Sequence, residues 1–96
     1  MQIEITGQNI ELTPPIHEYI TKKLQKIENH FSKIIRIHVV IKVEKLNHIA
    51  KASLHYLGKD LIASGNEEDM YAAIDDMADK MYHEIVKHKE KLNGDH

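Results

Sequence analysis

Hydrophobic and polar residues change their period along this chain, and the changes mark out six elements. QIEIT at residues 2–6 alternates polar and apolar positions, the pattern of a half-buried strand, and Gly7-Gln8-Asn9 breaks it. Thr13-Pro14-Pro15 follows, a hydroxyl that can cap a helix and prolines that a first turn tolerates. Ile16, Ile20, Leu24, Ile27 and Phe31 then recur at steps of three and four, which predicts a helix with one apolar stripe. The period falls to two where Ile35, Ile37, Val39, Ile41 and Val43 alternate with Arg36, His38, Val40 and Lys42. This is the clearest strand, with one face buried and one wet. Lys45-Leu46-Asn47-His48 reads as a turn, Ala50 to Leu57 as a third strand, Gly58-Lys59 as a tight hairpin, and Leu61 with Ala63 as a short fourth strand. Asn66 is placed to cap a last helix, with Glu67, Glu68 and Asp69 in a first turn whose dipole favours acids. Met70, Ala73, Ile74, Met77, Met81, Ile85 and Leu92 form its apolar stripe, with Tyr82 alongside. Gly94 is expected to end the helix, and residues 93–96 to be loose.

The order is β-α-β-β-β-α, which predicts an α+β fold. A four-stranded mixed sheet would carry both helices packed on one face. The first connection contains a helix, so the first two strands should be parallel and joined right-handedly. The remaining strands should pair as antiparallel hairpins. The chain has 96 residues, which fits a single domain spanning 1–96. A core of about two layers is available to such a chain, and a deep enclosed active site is hard to fit.

Composition narrows the function. There is no cysteine, which excludes a disulfide framework, a thiolate metal site and a cysteine nucleophile. MQIEITGQNI carries no signal-peptide pattern, and no apolar run reaches the roughly 18 residues of a membrane span. A soluble, cytoplasmic protein without a membrane partner is expected. The formal charge of −2 is not the basic balance of a typical nucleic-acid module. Polyanion binding must therefore come from how charge is arranged. Acids crowd at Glu67, Glu68, Asp69, Asp75, Asp76 and Asp79, while bases gather at Lys22, Lys23 and Lys26 and again from Lys80 to Lys91.

Catalytic and metal chemistry find little support. His83 and His88 are five apart and share a helix face poorly, and Glu84 with His88 supplies only two ligands. His38 and His55 can approach each other across strands, but solvated histidines explain the set better. Asp75 and Asp76 point about 100° apart on a helix and do not converge. Ser32, Ser53 and Ser64 lack a nucleophile signature, and the four glycines form no phosphate loop. No enzyme activity and no cofactor are expected.

The lysines carry more. Lys80, Glu84, Lys87 and Lys91 follow one stripe of the last helix, and Lys22, Lys26 and Lys33, with Lys23 beside them, follow one in the first. Surface helices are lysine-rich for ordinary reasons, since bases near a C-terminus each contribute about 0.3–1 kcal/mol. Two helices on one sheet face, however, can merge their basic flanks into a patch for RNA phosphates. The open sheet face, with Glu4, Arg36, His38, Val40, Lys42, Ser53 and His55, offers no aromatic platform for stacking bases.

Five stretches, MQIEITGQNIELT, VVIKVEKLNH, ASLHY, DMYAAID and KHKEKL, resemble the ribosome hibernation promoting factor and protein Y family over the whole chain, and its short members in particular. The resemblance implies a fold similar to a double-stranded RNA-binding domain with an extra strand. It implies binding to the small ribosomal subunit and its rRNA between head and body, across the mRNA channel and the A and P tRNA positions. Translation would be blocked in stationary phase. The short form would act with ribosome modulation factor to pair inactive ribosomes, and would be monomeric when free. By the same resemblance the rRNA contacts are Lys22, Lys23, Lys26, Lys42, Lys45, Lys80, Lys87, His88, Lys89 and Lys91. Asp76, after the DMYAAID motif, and Glu90, within the basic end, depart from that pattern. The alternatives are a general double-stranded RNA-binding module and a protein-interaction module using Asp75, Asp76 and Asp79.

Overall fold

The computed structural model describes residues 1–93 and has the expected element order. It comprises β1 (Gln2–Gln8), α1 (Pro14–His30), β2 (Arg36–Glu44), β3 (Asn47–Tyr56), β4 (Lys59–Glu67) and α2 (Met70–Asn93). The helix end expected at Gly94 and the tail after it lie outside the described residues. The sheet order is β1-β2-β3-β4, with β1 parallel to β2 and the other pairs antiparallel. Both helices cover one face.

Alternation decides which side chains meet them. Ile37, Val39 and Ile41 of β2 are fully buried, and so are Ala50 and Ala52 of β3. Ile20, Leu24 and Ile27 of α1 and Ala73, Ile74, Met77, Met81 and Ile85 of α2 close the core from above. Each strand residue between them points to the open face, as a period of two requires. Leu92 continues the α2 stripe but is 54% exposed. At about 1.5 Å per residue the 24-residue helix outruns strands of seven to ten residues, so its last turns lie beyond the sheet.

The start of α2 corrects the sequence reading. β4 is not short: it runs nine residues, and Asn66 pairs with Ile49 inside the sheet instead of capping the helix. Glu67 pairs with His48, so neither it nor Glu68 belongs to the first helical turn. Asp69 is the cap: its carboxylate accepts from the Tyr71 amide at 3.3 Å, and its carbonyl accepts from the Ala73 amide. Asp69→Ala is expected to cost about 1 kcal/mol, read as a lower urea midpoint at unchanged slope.

Glycine acts at two positions. The β3–β4 turn is Leu57-Gly58, both with positive φ (48° and 80°), the geometry of a tight hairpin turn. Gly65 lies directly beneath α2, where an added Cβ would strike the Ala73 carbonyl and stand 2.9 Å from the Met77 amide nitrogen. That close approach is what lets α2 lie flat on β4.

Candidate nucleic-acid interface

The two helices run parallel, as a ladder of contacts shows. The Tyr19 ring meets Tyr71 edge-on at 4.9 Å, and Lys23 Nζ is 3.2 Å from Asp75 Oδ1. Further along, Lys26 Nζ stands 4.2 Å above the Tyr82 ring, and Lys89 Nζ stands 5.7 Å from the Phe31 ring centre. Each step up α1 is a step up α2, so both C-terminal ends emerge at the same end of the molecule. The shared basic face anticipated for two helices on one sheet face is therefore geometrically available there.

Between the helices runs a groove of about 610 Å³. Its floor is Ile27, Ala78 and Tyr82, and its walls carry Lys23 and Lys26 together with four carboxylates, Glu67, Asp75, Asp76 and Asp79. Each of three aspartates in the first half of α2 has a nitrogen-bearing side chain close by. Asp75 takes Lys23, Asp76 takes Lys80 at 3.1 Å, and Asp79 faces His83 at 3.7 Å. Asp75 and Asp76 therefore neutralise one lysine across the helices and one along α2, in addition to any effect on its own dipole. Past Tyr82 the groove changes character. Phe31 packs against Tyr82 and Tyr56 at ring-centre distances of 5.5 and 6.0 Å, His30 meets Tyr82 edge-on, and Lys89 overlies the cluster.

The structure divides the ten expected contact residues. Lys23 and Lys26 border the interhelical groove, and Lys89 lies beyond it, over Phe31 in the neighbouring cleft. Lys22, Lys87 and Lys91 are exposed and have no ion pair among the described residues. Lys22 projects away from the buried side of α1, and Lys87 and Lys91 fall on the α2 flank shared with Lys80 and Glu84. Lys80 also reaches the Ser64 carbonyl at 3.4 Å, across the outer edge of β4. A lysine on a sheet edge is a common guard against edge-to-edge pairing. His88 is half-buried, with Nε2 3.2 Å from the Leu57 carbonyl oxygen and its ring against Tyr56, so it locks α2 onto the β3–β4 hairpin.

Lys42 and Lys45 stand apart from this set. Lys42 is on the open sheet face, paired with Glu44 at 2.8 Å. Lys45 sits in the β2–β3 turn with φ 56°. β2 begins at the end where the helices finish, so both lysines are at the opposite end of the molecule from Lys89 and Lys91. Lys33, read as a continuation of the α1 stripe, lies beyond that helix, which ends at His30. It borders instead a cleft with Lys89 and Phe31.

The open sheet face carries His38 bonded to Thr6 at 3.1 Å and His55 bonded to Asp60 at 2.9 Å. Among the described residues no three His, Asp or Glu side chains gather as a metal site. No helix among the described residues is long and apolar enough to cross a membrane.

Sequence reasoning passed over Tyr19, whose hydroxyl donates to Asp75 Oδ1 at 2.6 Å across 56 residues of chain. The hydrogen bond to Asp75, then burial, pushes the Tyr19 phenol above its ordinary value. The same carboxylate raises Lys23. Only the register of the two helices against each other could have revealed this trio.

Two parallel helices across a four-stranded mixed sheet, with lysines at their common end, define a small α+β module. Residues 3–93 match the Sigma 54 modulation protein / S30EA ribosomal protein family, and the chain belongs to that family. Ribosome hibernation promoting factor of Salmonella typhimurium is 46% identical over 92 residues, spanning 96% of this chain and 97% of that protein. The Pseudomonas putida protein of the same name is 46% identical over 91 residues, spanning 95% and 89%. Among solved structures, a ribosomal subunit interface protein from Coxiella burnetii superposes with a TM-score of 0.87 at 30% identity, covering 93% of this chain and 98% of that one. The N-terminal domain of Thermus thermophilus protein Y shares the fold, with a TM-score of 0.82, 24% identity and coverage of 92% and 99%.

Proposed function

We propose that this protein is a cytoplasmic ribosome hibernation factor that binds the small subunit through rRNA and inhibits translation by occupancy, without catalysis. One observation carries the reading: parallel helices bring lysines from both ends of the sequence to one end of the molecule, on a chain 46% identical to named hibernation promoting factors. A compact body with one basic end can seat on RNA phosphates while its bulk excludes other ligands. The seat is between head and body, overlapping the mRNA channel and the A and P tRNA positions. Binding there in stationary phase blocks initiation and decoding together. Acting with ribosome modulation factor on the same ribosome, the protein promotes pairing of inactive ribosomes, and it is a monomer when free.

Sucrose-gradient sedimentation tests this. The purified protein is expected to comigrate with small subunits and whole ribosomes at low salt, to dissociate as salt rises, and to shift ribosomes to paired particles when ribosome modulation factor is added. Protein left at the top of the gradient at low salt rejects the reading. Equal affinity for any long RNA duplex and for intact small subunits would favour a general double-stranded RNA-binding module, the reading that the helices-on-sheet topology alone supports.

A further inference from the structure

Two side chains of α1 converge on a single oxygen of α2. The Tyr19 hydroxyl donates to Asp75 Oδ1 at 2.6 Å, and Lys23 Nζ approaches that same oxygen at 3.2 Å. The site is open to solvent, with the Lys23 and Asp75 side chains 41% and 47% exposed. Tyr19 meets Tyr71 edge-on, and Lys23 lies 5.5 Å from the Tyr19 ring centre, so the two donors stand side by side at the same place. A hydroxyl and an ammonium aimed at one anionic oxygen are the donors of a phosphate contact. Here the anion is the protein's own carboxylate.

We propose that Tyr19 and Lys23 form a subsite for one RNA phosphate and that Asp75 occupies it in the free protein as a built-in competitor. The inference rests on the reading of the helical face as RNA-facing and adds a means of selectivity to it. When RNA binds, a phosphate oxygen takes the place of Asp75 Oδ1, and the carboxylate turns out to water. No bond is made or broken beyond this exchange of one oxyanion for another. A weak polyanion encounter meets a Lys23 already neutralised. RNA anchored on Lys26, and on Lys89 beyond the groove, presents a further phosphate at high effective concentration and can displace the carboxylate. Asp75 thus raises the threshold for adventitious RNA more than for a ligand that fits the whole groove. Asp76 pairs with Lys80 and Asp79 faces His83, both on their own helix, whereas Asp75 draws its donors from the other helix.

The test compares the full chain with its Asp75→Asn variant across a salt series, on a generic RNA duplex and on isolated small subunits. Asp75→Asn is expected to bind the duplex several-fold more tightly, with a salt slope steeper by about 0.9. The gain on subunits should be smaller. Adding Lys23→Gln to the Asn variant should return the duplex slope to the parental value. Unchanged or weaker duplex binding by Asp75→Asn would overturn the proposal and make Asp75 a positioning group for Lys23. Should that variant fold poorly, Asp75→Ser is measured in its place with the same expected gain on the duplex, and no gain rejects the competition. The duplex arm is independent of the ribosome. Failure on subunits with a steeper duplex slope would sink the hibernation reading and leave this one standing.

Discussion

Replacing Lys87, Lys89 and Lys91 together by alanine is expected to weaken small-subunit binding by roughly a hundredfold and to lower the salt slope by about two to three. Lys87 and Lys91 have no ion-pair partner among the described residues, so their charge is available to a ligand. Lys89 is different, since it overlies the Phe31 ring. Its loss also removes a cation–π contact of about 0.5–1 kcal/mol, so the Lys87→Ala, Lys91→Ala pair gives the cleaner binding measurement. Filter binding or sedimentation at several salt concentrations, alongside a melting curve, separates the two effects. A triple variant that folds and binds with the parental affinity and slope would remove the helical end from the interface. Lys42→Ala tests the opposite end. Lys42 lies on the other side of the sheet and is already paired with Glu44, so its effect should be the smaller one.

Gly65→Val is expected to destabilise the fold by about 3 kcal/mol, a fall in melting temperature on the order of 15 °C. The added Cβ meets the Ala73 carbonyl and the Met77 amide, both main-chain groups of α2 that cannot rotate away. Relief requires lifting α2 off β4, which loosens Met77 and Met81 at the centre of the core. The same shift would carry Asp75 and Lys89 out of register with α1, so groove contacts should weaken along with stability. Calorimetry on Gly65→Ala and Gly65→Val should give a graded loss. A melting temperature within about 2 °C of the parent in both would mean that the helix has more freedom here than the distances allow.

Much of the fold was legible because its buried residues keep strict time. Ile37, Val39 and Ile41 alternate without interruption, and Ile20, Leu24 and Ile27 step by three and four, and all lie in the core. The end of β4 was not legible. Gly65-Asn66-Glu67 has the composition of a turn, and only the overlying helix explains a glycine inside a strand. The basic face was half legible. Lysine positions and the layering of the helices suggested a patch, but which flank each lysine joins depends on the parallel register of α1 and α2. Lys89 could be placed over Phe31 only from coordinates, as could His88 on the Leu57 carbonyl. The Tyr19–Asp75 contact joins two helices through tertiary packing, and no local pattern encodes it.

The connectivity of the sheet has a consequence for the order of assembly. β2, β3 and β4 are joined by two-residue turns, and α2 follows directly. Their contacts close over short loops at small entropic cost. β1 instead pairs with β2 across the whole of α1, Gln2 meeting Arg36. That pairing closes a long loop and is of the slow, non-local kind. The hairpins with α2 are therefore expected to form the early unit, with β1 and α1 docking onto it afterwards. The interhelical groove has one wall from each unit, so on this order it would be completed only at the last step. Partial opening that releases β1 and α1 would dismantle it while most of the sheet persists. Native-state hydrogen exchange should show this as a lower opening free energy for amides of β1 and α1 than for those of β3.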